Sequence, residues 1–464
     1  MSATPAAPDV NLLLQGLREF SAPGAGVTRL AYDGHWRRAH AWLASEARAA
    51  GLAADFDAAG NLFFRPPGQT PGDLSAPVLL TGSHLDTVRE GGAYDGAYGV
   101  AAGLVLAARH LGGEGLPVVG LVSCEEEGSR FNDPFLGAKS FLGVATAADL
   151  ERIRDRDGVS WGQALRELQA HGGARPVGGA GGGGISSPFP PLFRVARYLE
   201  LHIEQGPVLE SEGRQIGVVE AIAGYVRIEV RLHGAARHAG TTSMRLRRDA
   251  LAAAAECISL AESLARDHGD PAVATAGRVH AQPGLFNVVP GECELWLEVR
   301  HGNSGVLDGM AAELESRCRS AAARRGVAAE WTVVSGQAPV AMDPGLVREA
   351  EEHAAAAGVP ARRMVSGAGH DAMIFAAAGV PSLMIFVPSR DGISHSPEEF
   401  TSPEDLARGV EFADGLVRRM RRAGTRGVPG GAAGGAASPP AGGDRKSTRL
   451  NSSHIQKSRM PSSA

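Results

Sequence analysis

The chain has 464 residues, of which 44% are hydrophobic and 21% are charged, and its formal net charge is −5. A chain of this length and composition is typical of a globular protein with two domains, each with its own core. The slightly acidic balance argues against a nucleic-acid surface, and no stretch is apolar over the ~20 residues that a membrane span needs. We therefore expect a small molecule as the partner, with no nucleic acid and no membrane.

The beginning of the sequence and its cysteines limit the compartment and the metal chemistry. The first residues lack a basic region followed by an apolar run, so we expect a cytoplasmic protein. The four cysteines are scattered without a C-x-x-C pair, which argues against a disulfide framework and against a cysteine zinc site. Any metal must therefore be held by His, Asp and Glu; the cysteines are Cys124, Cys257, Cys293 and Cys318.

The first part of the chain alternates strand-like and helix-like segments. An apolar run at residues 77–88 is followed by a helical stretch at 99–111 and a second apolar run at 117–128. This rhythm predicts a βαβ unit, and open α/β sheets place their sites at the carboxyl ends of parallel strands.

The pattern of apolar and polar residues changes near Ile216. Segments 226–234 and 293–301 alternate like half-buried strands, and segments 245–269 and 309–326 have the pattern of helices. This predicts a small α+β sandwich inserted into the larger domain. From Pro339 helix and strand alternate again, so we expect the first domain to resume there.

The predicted fold class is therefore α/β, a larger mixed-sheet domain with a smaller two-layer α+β insertion. The predicted ranges are 1–221 and 334–423 for the larger domain and 222–333 for the insertion. Residues 172–191 are rich in Gly and Pro and are expected to form a flexible loop.

The end of the chain differs in composition from the rest. We expect residues 424–464 to be a disordered tail, because they contain few core-forming residues. Lys446 and Lys457 lie in the last 21 residues, whereas the preceding 443 contain only Lys139. This stretch, residues 444–464, resembles the translation of a sequencing-library adapter, so we expect it to be an artefact.

Five segments carry residues suited to binding a metal. Any one alone is more typical of a solvated or capping feature, but together they supply three imidazoles and several carboxylates, a set that suits zinc, manganese or cobalt rather than calcium. In SHLDTV the imidazole and carboxylate are two residues apart, so the carboxylate can orient the imidazole. The segments contain His84 and Asp86, Asp95, Glu125 to Glu127, His202 and Glu204, and His395.

These segments, with ARHAGTTSM, FNVVPGE and GAGHDAM, resemble the hydantoinase/carbamoylase amidase family, within the di-metal aminoacylase and carboxypeptidase superfamily. The resemblance runs from about His84 to about Met420. It implies two divalent metal ions per subunit, with Asp95 bridging them and Glu126 acting as the general base. Asp86 would fix His84, and the remaining metal ligands would be His84, Glu127, His202 and His395.

The resemblance also implies groups that bind substrate and a homodimer formed through the inserted domain, which would act as a lid. His238 would stabilise the oxyanion, often in the active site of the partner subunit. Asn287 and Arg300 would hold a substrate carboxylate, although Arg300 by pattern alone is equally typical of a surface strand. Gln205 and the backbone at Gly369 would assist.

The sequence departs from the family at Ser243, where the family usually has proline. The unusually long loop at 172–191 is a second departure.

The implied reaction is hydrolysis of the carbamoyl C–N bond of N-carbamoyl-L-amino acids, which releases the amino acid, carbon dioxide and ammonia. Allantoate or a β-ureido acid on the same site is the alternative. A dipeptidase or aminoacylase is less favoured, because peptidases of the superfamily usually have a carboxylate where His202 stands. A non-catalytic metal-dependent binder is the remaining alternative, and it would have no use for a general base at Glu126.

Overall fold

The computed structural model describes residues 7–170 and 188–423. Residues 171–187 of the glycine-rich segment and the predicted tail 424–464, with its last part 444–464, lie outside the described residues. Within the described part of the chain, no helix is long and apolar enough to cross a membrane.

The first and last elements of the described chain belong to the larger part of the fold, which is the large sheet with its helices. The strands are β1 (Ala53–Phe56), β2 (Leu62–Arg65), β3 (Val78–His84), β4 (Val118–Ser123), β5 (Val195–Ile203), β6 (Ile216–Ile222), β7 (Gly224–His233), β8 (Arg237–His238), β9 (Val273–Gln282), β10 (Val288–Val289), β11 (Glu292–His301), β12 (Ala328–Gln337), β13 (Val340–Ala341), β14 (Ala361–Ser366) and β15 (Ser382–Val387). The helices are α1 (Val10–Arg18), α2 (Gly34–Ala49), α3 (Ala97–Arg109), α4 (Leu136–Phe141), α5 (Asp149–Arg152), α6 (Trp161–Ala170), α7 (Val208–Ser211), α8 (Ala250–His268), α9 (Ser304–Arg324), α10 (Pro344–Ala357), α11 (Asp371–Ala377) and α12 (Pro403–Ala423).

The larger sheet is mixed and has the order β1-β2-β4-β3-β5-β15-β6-β13, with β14 paired to β6. Its centre is parallel, because β4, β3, β5 and β15 run in the same direction, whereas β1, β2 and β13 pair antiparallel with their neighbours. The predicted mixed α/β sheet is thereby confirmed. The parallel centre brings the carboxyl ends of four strands to one edge, where the site lies.

Helix α3, which follows β3 in the chain, contains small residues that let it pack closely on the large sheet. The helix is buried along its length except at its last residue, and it packs on β3. A Cβ atom at Gly103 would lie 2.7 Å from the carbonyl oxygen of Thr81, and one at Gly99 would lie 2.4 Å from the carbonyl oxygen of Leu201. These two glycines therefore let the helix lie close against the strands that carry the metal-binding residues.

The smaller layer, here called the small sandwich, consists of an antiparallel sheet with the order β12-β7-β11-β9 and of helices α8 and α9. It has its own core, separate from the core of the large sheet. Strands β7 and β11 and both helices overlap with the predicted segments, but β9 and β12 were not predicted. Both are edge strands in which apolar residues such as Val279 and Val333 are exposed, so apolar residues do not mark the buried face on which the prediction relied. The sandwich continues to Gln337, and the domain boundaries at 222 and 333 stay predictions.

Candidate metal centre and active site

The predicted metal ligands meet where the parallel strands end. His84 is the last residue of β3, His202 lies near the end of β5, and the loop that carries Glu126 and Glu127 directly follows β4. Asp95 lies in the loop before α3, and His395 follows β15 after a short loop. We call His84, Asp95, Glu127, His202 and His395 the Asp95 cluster.

The first group in the cluster consists of His84, Asp95 and His202, all buried. The Nε2 atoms of His84 and His202 lie 3.4 and 3.1 Å from Oδ1 of Asp95. The Nδ1 atom of each imidazole lies 2.9 Å from a backbone carbonyl oxygen, that of Asp86 for His84 and that of Ile203 for His202. A hydrogen on Nδ1 donated to the carbonyl leaves Nε2 as the nitrogen that faces the cluster.

The second group consists of Asp95, Glu127 and His395. Nε2 of His395 lies 3.2 Å from Oδ2 of Asp95 and 3.5 Å from Oε1 of Glu127. The ligand atoms of each group lie within 4.8 Å of one another. Asp95 belongs to both groups through different oxygens, so its carboxylate is placed to bridge two cations.

The chemistry of these residues fits two divalent cations. The cluster offers only imidazole nitrogens and carboxylate oxygens, which suit zinc, manganese or cobalt. Burial raises the pKa of Glu127 to about 7, and the nearby Asp95 carboxylate adds to this effect. Carboxylates gathered in a buried pocket repel one another, and cations would offset that repulsion.

The imidazoles and Asp95 already stabilise one another without a cation. Burial disfavours ionised Asp95, but hydrogen bonds from His202, His395 and His84 outweigh it and hold the pKa of Asp95 well below its usual range. A hydrogen bond to Asp95 raises the pKa of His395 to about 9. The metal-free site therefore carries protons that cation binding would displace.

The three consecutive glutamates after β4 have different roles. Glu125, with φ 52°, accepts hydrogen bonds from the backbone N–H groups of Arg130 and Phe131 and so shapes the loop. Oε2 of Glu126 lies 3.6 Å from Nε2 of His84, beside the cluster and outside both groups. Burial raises the pKa of Glu126 well above its usual range. A buried carboxyl group with a raised pKa next to a metal site is typical of a general base or acid.

Asp86 contacts both His84 and the loop of the proposed base, through different atoms. Its two carboxylate oxygens accept the backbone N–H groups of Glu126 and Glu127, each at 3.2 Å. The backbone carbonyl of Asp86 is the group that orients His84. Asp86 therefore links the end of β3 to the loop of the proposed base.

Gln205 and Arg300 both line one cleft, which has a volume of about 580 Å³. Nε2 of Gln205 donates to Oδ2 of Asp95 at 2.8 Å, and its buried Oε1 has no hydrogen-bond partner among the described residues. Arg300 donates from Nε to Glu298 and from Nη1 to the carbonyl of Gly367 at 2.8 Å, which brings it to the loop that contains Gly369. Its other N–H groups remain available to a substrate.

His238 and Asn287 lie together but apart from the Asp95 cluster. They sit on a two-stranded ribbon, where β8 pairs with β10 and the N–H of Ala239 donates to the carbonyl of Asn287 at 2.8 Å. Both residues are exposed, and in the described part of the chain neither has an ion pair or hydrogen bond with a residue of the cluster. The structure thus brings together the predicted ligands but not these two groups.

The backbone at Ser243, where the family usually has proline, adopts a conformation that is open to proline. Ser243 has φ −53° and ψ 141°, which a proline also adopts. The serine therefore occupies a backbone conformation that suits the family's usual residue. The other departure, the long loop, falls mostly outside the described residues.

Two buried groups under the cluster were missed by the sequence analysis. Glu200 accepts hydrogen bonds from Oγ of Ser83 at 2.7 Å and from the N–H of Ala372 at 2.9 Å. It lies two residues before His202 on the same face of β5, a spacing that could have revealed it. The ring of His370 packs edge-on against His202, with centroids 4.5 Å apart, and nothing in its sequence context indicated this contact.

Comparison with known proteins agrees with this geometry. A model of peptidase family M20/M25/M40 matches residues 80–419. An allantoate amidohydrolase of Bacillus subtilis (strain 168) is 38% identical over 404 residues, which cover 86% of this chain and 94% of that protein. An N-carbamoyl-L-amino-acid amidohydrolase of Paenarthrobacter aurescens is 36% identical, with coverages of 88% and 97%. The crystal structure of a hydantoinase/carbamoylase family amidase from Burkholderia multivorans has a TM-score of 0.78 at 33% identity, covering 89% of this chain and 98% of that one.

Proposed function

The chain belongs to peptidase family M20/M25/M40, and we propose that this amidohydrolase of the carbamoylase and allantoate amidohydrolase type hydrolyses the carbamoyl C–N bond of N-carbamoyl-L-amino acids. The observation that carries the proposal is the Asp95 carboxylate shared by two ligand groups, with Glu126 beside them. A non-catalytic binder would need the ligands but not an adjacent buried base.

In this proposal His84, Asp95 and His202 hold one cation, and Asp95, Glu127 and His395 hold the other. Two divalent ions there, zinc, manganese or cobalt, would lower the pKa of a water molecule and stabilise negative charge on the ureido oxygen. Glu126 takes a proton from the attacking water and delivers it to the amino acid nitrogen as the C–N bond breaks. The carbamic acid that remains decomposes to carbon dioxide and ammonia.

Substrate orientation follows from the polar groups of the cleft. The free Oε1 of Gln205 is placed to accept a ureido N–H, because its amide nitrogen is already held by Asp95. Arg300 would bind the substrate carboxylate with two parallel hydrogen bonds, assisted by the backbone near Gly369 and by Asn287. The substrate would then span the distance between the Asp95 cluster and the small sandwich.

Allantoate is the alternative substrate, because it also presents a ureido group and a carboxylate. Turnover of N-carbamoyl-L-amino acids, allantoate and dipeptides should be compared in one purified sample supplemented with manganese. We expect the highest kcat/KM for an N-carbamoyl-L-amino acid. Faster turnover of allantoate would move the assignment to that substrate, preference for dipeptides would indicate a peptidase or aminoacylase, and no turnover of any substrate would favour a binder.

The same proposal includes a homodimer formed through the inserted domain. Three features of the described residues support it. His238 and Asn287 have no hydrogen bond or ion pair with the cluster, strands β9 and β12 are edge strands of their sheet, and apolar side chains next to the ribbon in sequence are exposed, among them Met244, Leu285 and Phe286. His238 of one subunit would then serve the site of the other after a hinge motion.

The expected location in the cytoplasm stays a prediction.

A further inference from the structure

Glu399 connects two of the three loops that supply the second ligand group, the loop of Asp95 and the loop of His395, although it belongs to neither group. Its Oε1 accepts the backbone N–H groups of Tyr94 and Asp95 at 2.9 and 3.1 Å. Its Oε2 accepts the hydroxyl of Ser394 at 2.8 Å. One carboxylate therefore ties the loop of Asp95 to the residue that precedes His395.

Both oxygens of Glu399 are occupied by these donors, so it is not a free metal ligand. It is only 5% exposed. A buried carboxylate is stable only when its hydrogen-bonding capacity is used, and three donors from two loops meet that need. The role open to Glu399 is to position other groups.

The backbone around Glu399 is shaped to receive its side chain. A Cβ atom at Gly92 would lie 2.0 Å from atoms of the Glu399 carboxyl group, so any other residue there would displace it. The rings of Tyr94 and Phe400, which flank the contact, pack edge-on with centroids 6.3 Å apart. The loop of Asp95 and the segment after His395 are therefore fitted to each other.

The two ligand groups differ in how much they need such a support. His84 and His202 are held at strand ends, and their side chains are no more than 2% exposed. The side chain of His395 is 49% exposed, and its backbone has φ 55°, which is unusual for a residue other than glycine. The second group therefore depends more on contacts between loops.

Ser394 extends the connection to the ligand atoms. Its Oγ lies 3.2 Å from Oδ2 of Asp95 and 3.4 Å from Nε2 of Gln205. Oδ2 is the oxygen of Asp95 that faces His395. Glu399, by holding Ser394, thus acts on the half of the Asp95 carboxylate that belongs to the second group.

We propose that Glu399 is a positioning residue that holds Asp95 and His395 in register for the second metal position. This inference rests on the two-metal site of the proposed function. Loss of Glu399 weakens binding of the second ion and leaves the first position nearly unchanged.

The experiment is calorimetric titration of Mn²⁺ into chelator-treated full-length protein, which needs no turnover. Wild type, Glu399→Ala, Glu399→Gln and the control Glu398→Gln are compared, since Glu398 is exposed and, within residues 7–170 and 188–423, its side chain bonds only to Ser396. A further variant, His395→Ala, identifies the binding event that belongs to the second position. We expect Glu399→Ala to weaken that event by about tenfold or more, in the range seen for residues that orient metal ligands, with the other event changed less than about threefold.

Glu399→Gln keeps an oxygen for the two N–H groups but replaces the acceptor of Ser394, so a smaller weakening of the same event is expected. Thermal unfolding of each metal-free variant shows whether it folds, and if Glu399→Ala does not, Glu399→Gln decides. Equal weakening of both events, or Glu399 variants that bind like Glu398→Gln, would overturn the inference while leaving the two-metal proposal intact. A wild-type protein that binds only one ion would overturn both.

Discussion

The Asp95 cluster and the ribbon of the small sandwich both carry predicted active-site residues, but only the first is assembled within one chain. In the cluster, His84 and His202 are buried at the ends of the adjacent parallel strands β3 and β5, and backbone carbonyls fix their imidazoles. At the ribbon, His238 and Asn287 are exposed and have no hydrogen bond or ion pair with the cluster among the described residues.

If the proposed function holds, this difference separates two tasks of one active site. Metal ligands must be held in a fixed geometry before a cation binds, and a packed sheet edge provides that rigidity. Groups that close over a substrate must first leave room for it to enter, so they belong on a part that can move. The following predictions test this division.

The largest effect should come from removing metal from the cluster. Treatment with a chelator is expected to abolish activity and to lower the melting temperature, because cations that bind only the folded cluster stabilise the folded state and offset the repulsion among its carboxylates. Activity and thermal unfolding measured before treatment, after it, and after readdition of Mn²⁺ check this. Full activity in exhaustively treated protein would contradict a metal mechanism.

Substitution of the proposed base should follow. Glu126→Gln preserves shape but cannot accept a proton, so kcat should fall by about a thousandfold while both metal ions stay bound. The matched control is Glu114→Gln, an exposed glutamate that precedes β4, whereas Glu126 follows the opposite end of that strand; this variant should behave like wild type. A Glu126→Gln variant within tenfold of wild-type kcat would exclude Glu126 as the base.

Mixing inactive subunits tests whether the ribbon serves the partner. His238→Ala and Glu126→Gln proteins, each nearly inactive, are unfolded, mixed in equal amounts and refolded together. If His238 acts across a dimer, each mixed dimer contains one intact site, and about a quarter of wild-type activity returns by random pairing. No recovery, despite mixed dimers demonstrated by differential tagging, would place His238 in its own subunit's site.

A smaller effect is expected at the border between the two regions. Arg300→Lys should raise KM about tenfold for a substrate with a free carboxylate, because lysine cannot form two parallel hydrogen bonds. Arg278→Lys, on the same sheet and stacked over Trp296, is the control. If the ratio of KM values for carboxylate and amide substrates is unchanged in Arg300→Lys, Arg300 is not the carboxylate anchor.

The affinity of the site for metal should also depend on pH. Without metal, Glu127 has a pKa of about 7 and His395 one of about 9, so both hold protons at low pH that a cation must displace. Apparent Mn²⁺ affinity should therefore rise by about tenfold or more from pH 6 to pH 8. Titrations in buffers of different ionisation enthalpy measure the protons released; an affinity that is constant with pH would contradict this proton competition.

Several features of the site followed from the sequence because they depend on local pattern. The period-two spacing of His84 and Asp86 and the apolar run before Glu126 predicted strand ends, and parallel strand ends share one edge of a sheet. Alternation of apolar and polar residues likewise predicted β7 and β11. It could not predict β9 and β12, since these edge strands bury neither face fully and expose apolar residues such as Val279 and Val333, so apolar residues do not mark one face.

The sequence by itself determined the residue types of the cluster, the strands that present them and the family to which they point. Only the tertiary structure decided which atom of each residue acts. Asp86 orients His84 through its carbonyl and not its carboxylate, and Glu399 reaches Asp95 from a loop 304 residues away. Such contacts join segments distant in the chain, so no local periodicity encodes them; they arise because buried donors and acceptors must find partners once the core has formed.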